Sequence, residues 1–268
     1  LLKSIIATRQ QKVLVTLFSL QKEHREQYGT CLLVSEDGNI IGDPPYLKDV
    51  LLTDARKVLL SKQSSFRNYV THNINQTAFI ELILPTVHTV VIGAGNDVIP
   101  LVKMADLLGW ETTVIDGRPD YADKKRFVSA CQVIISRPEN ALDKLTIDDQ
   151  TVFLLMTHNY NYDLAMLRAL LKRKVVYIGS LGPRKKSDRM IEELKEKGIS
   201  LTSEQISSLY GPVGLDIGAE TSEEIALSIL AEIKAVLSSK NGQSLRENIG
   251  GIHSRSELLI EQASIHKE

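Results

Sequence analysis

The most constraining feature of this sequence is a regular alternation of apolar strands and amphipathic helices beyond residue 86. The strand-like runs are rich in Val, Ile and Thr and occupy residues 87–92, 112–115, 133–135, 151–156 and 174–178. Most are followed by segments with apolar residues at helical spacing, at 98–108, 164–171, 185–197 and 223–237. Continuous apolar strands joined by helices are typical of a parallel sheet covered on both faces. The pattern predicts a doubly wound α/β domain.

The part of the chain before residue 86 consists of short predicted elements without the regular strand–helix alternation. Its predicted strands lie at 13–18, 30–34, 66–70 and 78–84. Residues 36–39 have the composition of a hairpin turn, and residues 46–60 carry apolar side chains at helical spacing. We therefore predict a small α+β domain over residues 1–85, with Pro85 at the boundary, and an α/β domain over residues 86–268.

Charge and cysteine content exclude several classes of protein. The chain has 32 Lys and Arg against 33 Asp and Glu, a net charge of -1, so we expect neither nucleic acid nor a membrane as partner. Its two cysteines, Cys31 and Cys131, fit no zinc or iron–sulfur spacing and no disulfide framework. No apolar run approaches the roughly 18 residues that span a bilayer, and residues 1–11 lack a signal-peptide core. We predict a cytoplasmic protein without a metal site.

The sharpest motif is a glycine turn directly after the strand at 87–92. A first glycine permits the tight turn, a second lets a phosphate approach the backbone, and the following helix offers free N–H groups. The residues of this turn that we expect to contact a ligand are Gly93, Gly95, Asn96 and Asp97. The alternative is a tight strand-to-helix turn alone. Val98 stands where a dinucleotide fingerprint has its third glycine, which makes a standard dinucleotide fit less secure.

The next strand ends at Asp116, which is placed to reach a ribose diol. Arg118 follows two residues later and would favour a phosphate at the same end of the strand. A solvated surface arginine is the alternative interpretation.

The strand at 151–156 leads into Thr157 and His158. Because the carboxyl ends of parallel strands meet at one edge, we expect both residues beside the glycine turn. A lone histidine is more often a surface residue than a catalyst, so position is the only argument. Asp163 is predicted to be the N-cap of the next helix.

Two further glycine-containing segments follow strands or precede helices. Gly179, Ser180, Gly182 and Arg184 lie in the first, which has Lys185 and Lys186 after it and predicts an anion cradle, with a Gly-Pro turn and a solvated basic helix face as the alternative. In the second, at 211–224, Asp216 and Gly218 are predicted to face the crevice, where the backbone approaches either another strand or a ligand phosphate. Thr221 and Glu224 have capping-box spacing.

These segments resemble the xanthine dehydrogenase accessory factors, known as the XdhC/CoxI family. The resemblance runs from about residue 86 to 255 and rests on GAGNDVIPL, VIDGRPDYA, MTHNYNYDLAMLRALL, YIGSLGPRKKSDRM and GLDIGAETSEEIALSILAEI, which occur in that family's order. It implies a Rossmann-like C-terminal domain and a smaller N-terminal domain. It also implies homodimers that bind the molybdenum cofactor (molybdopterin) and deliver it to xanthine dehydrogenase or a related molybdenum hydroxylase, in cooperation with a cysteine desulfurase.

The N-terminal part departs from the family pattern. Within residues 22–32 only Gly29 matches, and residues 43–46 replace the family's Ser-Gly-Gly-Cys. Tyr46 stands in place of that cysteine and can neither ligate a soft metal nor carry a persulfide. Cys31 is predicted to be a small core residue. The departure leaves open whether this chain keeps the full accessory activity.

We therefore expect a cofactor-binding accessory protein rather than an enzyme. Two isolated cysteines cannot hold a four-cysteine cluster, so the electron relay that xanthine turnover needs is missing. No Gly-x-Ser-x-Gly elbow or Walker loop is present, which argues against hydrolase and phosphate-transfer functions. Two alternatives remain: an NAD(P)-dependent oxidoreductase with His158 as acid or base, and a nucleotide-binding regulatory module.

Overall fold

The computed structural model describes residues 8–18, 29–44, 47–70, 75–247 and 261–264. The chain divides into two compact units, Leu1–Pro85 with Leu245–Glu268, and Thr86–Ser244. We predicted that everything beyond residue 85 belongs to the second domain, whereas the segment from Leu245 groups with the first unit. The reason is that Glu261–Ser264 forms a strand that pairs in parallel with Ser65–Val70.

A six-stranded sheet and one helix build the first unit. Its elements are β1 (Lys12–Phe18), β2 (Gly29–Ser35), β3 (Ile40–Ile41), α1 (Lys48–Ser61), β4 (Ser65–Val70), β5 (Asn75–Ile83) and β12 (Glu261–Ser264). The strand order is β12-β4-β5-β1-β2-β3, antiparallel except for β12 beside β4. Helix α1 covers the sheet because Leu51, Ala55 and Val58 on one of its faces are buried in the core of this unit. The predicted small α+β domain is confirmed.

A parallel six-stranded sheet builds the second unit. Its strands are β6 (His88–Ile92), β7 (Glu111–Asp116), β8 (Gln132–Ile135), β9 (Thr151–Leu155), β10 (Ile178–Ser180) and β11 (Leu209–Tyr210). Its helices are α2 (Val98–Leu107), α3 (Tyr160–Leu170), α4 (Arg184–Glu196), α5 (Ser203–Ser207) and α6 (Ser222–Leu237). The strand order is β11-β10-β9-β6-β7-β8, and every neighbouring pair is parallel.

Helices cover both faces of this parallel sheet. Helices α2 and α6 pack on one face, against side chains such as Val91 and Leu154. Helices α3 and α4 pack on the other face, against side chains such as Val90 and Phe153. Strand β6 is buried along its whole length, as a continuous apolar run at the centre of a doubly wound sheet requires. The predicted Rossmann-like architecture is confirmed.

Two local predictions in this unit are wrong. Helix α3 begins at Tyr160 instead of residue 164, and its N-cap is Asn159, whose side chain accepts from the Tyr162 N–H. Asp163 therefore lies inside the first turn and does not cap the helix. Strand β10 starts at Ile178, later than the predicted 174–178, because its ladder partners are the ends of β9 and β11. The capping box of α6 between Thr221 and Glu224 is confirmed.

No helix in the described parts of the chain combines the length and apolar composition that crossing a membrane requires.

Candidate functional site

The strand ends that carry the predicted site residues lie at one edge of the parallel sheet. The chain passes from β6 to β7 and β8 on one side, and then returns to β9 on the other side of β6. Open α/β sheets bind ligands where the strand order reverses in this way, outside the carboxyl ends of the strands. We call the edge between the carboxyl ends of β6 and β9 the switch-point crevice.

Both glycines of the turn after β6 permit close approaches, but to different groups. Gly93 has a φ of +125°, and a Cβ there would collide with the Met156 carbonyl oxygen. A Cβ at Gly95 would collide with Oδ1 of Asp97 and lie 3.9 Å from Nε2 of His158. Gly93 thus lets β6 and β9 end close together, and Gly95 leaves space for the Asp97 side chain.

Asp97 and His158 bridge the switch-point crevice. Asp97 follows β6, His158 follows β9, and the Asp97 Oδ2 atom lies 3.0 Å from His158 Nε2. His158 has a φ of +56°, a left-handed conformation that non-glycine residues rarely adopt. Its side chain is 65% exposed, whereas that of Asp97 is 22% exposed. If Nε2 donates to the carboxylate, Nδ1 is left as the ring's acceptor for a ligand.

Asp116 is saturated by protein donors at the end of β7. Its Oδ2 accepts from the Ala94 N–H over 2.9 Å and from Arg118 Nη2 over 2.8 Å. Its Oδ1 accepts from the Arg118 N–H over 2.9 Å and from Arg118 Nε over 3.0 Å. Burial raises the pKa of Asp116, but these hydrogen bonds outweigh burial and hold the pKa below its ordinary value. The carboxylate therefore links the glycine turn to Arg118 through hydrogen bonds.

Arg126 also holds the glycine turn through hydrogen bonds, and the sequence patterns did not predict this role. Its Nη1 donates to the Ala94 carbonyl over 2.8 Å, and its Nη2 donates to Asn96 Oδ1 over 2.8 Å. Asn96 is exposed, so this bond fixes a side chain that would otherwise rotate freely. Arg126 is preceded by Lys124 and Lys125, and no local pattern distinguishes the cation that reaches back to the turn.

A buried network fixes the end of β9 to the start of α4. Thr157 Oγ1 donates to Asp163 Oδ1 over 2.6 Å, and Lys186 Nζ donates to Asp163 Oδ2 over 2.6 Å. Lys186 also donates to the Leu181 carbonyl over 2.8 Å. Asp163 is fully buried and the Lys186 side chain is 17% exposed. The predicted site residue Thr157 is thus committed to a structural ion-pair network.

Gly179 of the β10 segment has a packing role. It is buried, and a Cβ there would lie 2.6 Å from Leu154 Cδ2 and 2.6 Å from Val213 Cγ2. Its missing side chain makes room for these two residues in the core.

The remaining residues of this segment lie around the first turn of α4. Gly182 has a φ of +126°, and Arg184 and Lys185 are exposed at the helix start. The helix has no acidic residue in its first turn and no side-chain cap. Ser180 Oγ is buried at the end of β10 and has no hydrogen-bond partner in the described part of the chain. A helix start with two exposed cations and no acidic residue suits an anionic ligand group.

The segment at 211–214 contacts both a strand and helix side chains: the Val213 N–H donates to the carbonyl of Ser180 at the end of β10, and Gly211 and Gly214 lie against two helices, while a phosphate near this segment stays a prediction. A Cβ at Gly211 would collide with Ser187 Oγ on α4, and a Cβ at Gly214 would collide with Ser228 Oγ on α6. Asp216 and Gly218 are exposed. Among the described residues, no hydrogen bond connects Asp216 to the switch-point crevice, so its ligand role stays a prediction.

The structure describes both cysteines but little of the diverged N-terminal segment. Tyr46 and most of residues 22–32 lie outside the described residues. Cys31 packs against the core of the first unit, and burial raises the pKa of its thiol while backbone hydrogen bonds oppose this, which makes it a poor nucleophile at neutral pH. Cys131 is exposed. In the residues that the structure describes, no group of three or more His, Cys, Asp or Glu is placed to hold a metal ion.

Curated proteins with related sequences are found in two bacteria. A Bacillus subtilis (strain 168) protein, named as a probable xanthine dehydrogenase subunit, is 34% identical over 155 residues, which are 58% of this chain and 44% of that protein. The "Molybdenum cofactor insertion chaperone PaoD" of Escherichia coli (strain K12) is 33% identical over 90 residues, which are 34% of this chain and 28% of that protein. The matches thus span less than half of either relative.

A family and a solved structure also match. A crystal structure described as a xanthine dehydrogenase from Bacillus halodurans has a TM-score of 0.55 and 23% identity, over 90% of this chain and 95% of that one. At this identity the likeness shows a common fold. The sequence model of the XdhC Rossmann domain matches residues 89–233, which are more than half of the chain and include the glycine turn, Asp97 and His158. The chain belongs to the XdhC family and carries the Rossmann domain of that family.

Proposed function

We propose that this protein binds the molybdenum cofactor at the switch-point crevice and delivers it to a molybdenum hydroxylase of the xanthine dehydrogenase class. The observation that carries this proposal is the Asp97–His158 pair, which spans the crevice beside the glycine turn. A phosphorylated ring ligand needs fixed polar partners for its ring and an anion site for its phosphate. The crevice and the neighbouring start of α4 offer both.

The names of the relatives support a role in maturation. One relative is named as a chaperone that inserts the molybdenum cofactor, and another is named as a probable subunit of xanthine dehydrogenase. We extend these names to this chain as a proposal, because the matches cover less than half of those proteins. A cysteine desulfurase, a second copy of this chain and a cytoplasmic location remain predictions.

The start of α4 fits the phosphate end of the cofactor better than the start of α2 does. Arg184 and Lys185 add two cations at the start of α4, whose first turn contains no acidic residue. At the start of α2, by contrast, the Asp97 carboxylate repels a phosphate. We therefore propose that the phosphate binds at α4 rather than directly on the glycine turn.

His158 would orient the ring of the ligand. With Asp97 as the partner of Nε2, its Nδ1 accepts a hydrogen bond from a ring N–H, and the pterin of the cofactor has such donors. When bound, the cofactor supplies the molybdenum centre that the recipient hydroxylase requires. The residues of this chain hold, orient and protect that group until transfer.

Direct binding tests the proposal. The purified chain is incubated with molybdopterin released from a molybdenum hydroxylase, and the pterin that co-elutes in gel filtration is measured by its fluorescence after oxidation. We expect the wild type and Lys103→Ala, an exposed position on α2, to retain the pterin equally. We expect His158→Ala to weaken binding about tenfold, as the loss of an oriented hydrogen bond does. No retention by the wild type, or equal retention by all three proteins, contradicts the proposal.

A further inference from the structure

We infer that Arg118 makes the crevice selective against dinucleotides with a free ribose diol, such as NADH, because it occupies the carboxylate that would otherwise bind that diol. The inference rests on the proposed ligand site and narrows its ligand class. That class is a phosphorylated molecule that presents acceptor oxygens, and not a ribose diol, at the end of β7.

The position of Asp116 is the one that dinucleotide-binding domains use for ribose. Asp116 ends β7, the strand that follows the glycine turn and α2 in the first βαβ unit of the sheet. In such units an acidic side chain at this point accepts hydrogen bonds from the ribose hydroxyls. The sequence alone therefore predicts ribose binding here.

The contacts of Asp116 oppose that prediction. A carboxylate offers about four lone-pair positions. Two backbone N–H groups, of Ala94 and Arg118, and two guanidinium nitrogens of Arg118 fill all of them at 2.8–3.0 Å. A ribose diol can bind only after the Arg118 side chain has left.

Moving the Arg118 side chain away from Asp116 is costly for both residues. The Asp116 side chain is only 4% exposed, so water cannot replace the guanidinium. Arg118 is also held from its other face, because its guanidinium carbon lies 3.9 Å from the centroid of the Tyr121 ring. The contact between Asp116 and Arg118, which we call the clamp, is therefore part of the folded site. It is not a surface contact that a ligand displaces with ease.

The outer edge of the clamp presents donors only. A guanidinium carries five N–H donors, and those that Asp116 does not use belong to a side chain that is 50% exposed. Such an edge favours phosphate or carbonyl oxygens. It disfavours a diol, which needs acceptors for its two hydroxyl protons.

Titration with NADH tests the inference on the full chain, with binding followed by NADH fluorescence. The variants are Arg118→Ala, Arg118→Met, which keeps a side chain over Tyr121, and the double variant Asp116→Asn with Arg118→Ala. Arg137→Ala is the control, since it removes an exposed cation after the neighbouring strand β8. Thermal unfolding confirms that each variant is folded, and Arg118→Met carries the test if Arg118→Ala does not fold.

We expect weak NADH binding by the wild type and by Arg137→Ala, and binding about tenfold tighter by Arg118→Ala or Arg118→Met, because the carboxylate is freed for the diol. We expect the gain to vanish in the double variant. The inference is overturned by tight NADH binding to the wild type, by no gain in either Arg118 variant, or by a gain that survives in the double variant. Tight binding of NADPH, whose ribose carries a phosphate, together with weak NADH binding would support the inference while contradicting the proposed function in favour of an oxidoreductase.

Discussion

The carboxylate of Asp97 and the imidazole of His158 meet at 3.0 Å although they are 61 positions apart in the chain. They follow the two strands between which the sheet reverses its order, so their contact spans the point where such folds bind ligands. His158 reaches it with a left-handed backbone, a strain of about 1–3 kcal/mol that the surrounding fold must offset. Strain of this kind concentrates at functional sites, which is why we place the ring of the ligand here.

Alanine substitutions at Gly93 and Gly95 should differ in their effects: the first should mainly reduce stability, and the second should mainly reduce ligand binding. Gly93→Ala meets the backbone of Met156 at a φ of +125°, so we expect a loss of about 2 kcal/mol or more in the free energy of unfolding. The added Cβ of Gly95→Ala collides with the Asp97 side chain, which can rotate away, so we expect a loss under about 1 kcal/mol together with weaker pterin retention. Urea unfolding and gel filtration measure the two effects. Equal destabilisation by both variants, or normal binding by Gly95→Ala, contradicts this assignment.

Breaking the buried ion pair should destabilise the domain strongly. Lys186→Met leaves the fully buried Asp163 carboxylate without its cation, which costs about 3–5 kcal/mol of unfolding free energy. The control is Lys197→Ala, which removes an exposed pair with Glu193 and should cost much less, because water screens exposed ion pairs. Chemical denaturation compares the two. A loss for Lys186→Met no larger than the control's would show that the Lys186–Asp163 pair does not stabilise the fold.

Stability should depend on the charge of Asp116 at low pH. Burial raises the pKa of this carboxyl, but hydrogen bonds from Arg118 and Ala94 outweigh burial and leave the folded-state pKa below the ordinary value of 3.8. The charged form therefore stabilises the fold above pH 3.8, and this contribution is lost as the pH falls through the lower, folded-state pKa.

We expect the free energy of unfolding of the wild type to fall more steeply below pH 3.8 than that of Asp116→Asn, so that the difference between them shrinks. Urea midpoints of both proteins, measured from neutral pH downward, report it. Parallel pH profiles of the two proteins would show that the hydrogen bonds to the Asp116 carboxylate add no stability to the fold.

The cationic start of α4 should contribute a salt-dependent share of ligand affinity. Arg184→Ala with Lys185→Ala should weaken pterin retention, and the loss should be larger at low salt because screening already reduces the attraction at high salt. The matched control is Lys103→Ala with Lys195→Ala, two exposed helix positions away from this helix start. If the affinity and its salt dependence are the same in both double variants, the phosphate does not bind at α4.

The fold could be predicted from the sequence because its signals are local. Each strand of the second unit except β11 coincides with or adjoins an apolar run, and a buried parallel strand must be apolar on both faces. Strand β11 has two residues and is only half-buried, so it leaves no such run. The predicted start of α3 is wrong because Asn159 and Asp163 are both typical N-cap residues.

The site could be predicted only in part, because its contacts are between residues far apart in sequence. The ends of β6 and β9 are brought together as the parallel order requires, which places His158 beside the turn without revealing its partner Asp97. Arg126 reaches residues 30 or more positions away, and no spacing signals that bond. The clamp between Asp116 and Arg118 is visible in the sequence only as two residues near each other, since one carboxylate can accept from a ribose or from an arginine.

Transfer of the cofactor to a recipient tests the central claim most directly. The chain is loaded with molybdenum cofactor released from an active molybdenum hydroxylase and is freed of unbound cofactor. It is then mixed with a hydroxylase of the xanthine dehydrogenase class prepared without its cofactor, and the activity that appears in this hydroxylase is followed over time. We predict faster and fuller activation than with the same amount of free cofactor, and a return to the free-cofactor rate with His158→Ala. Activation by the loaded wild-type chain that is no faster than with free cofactor would contradict the account.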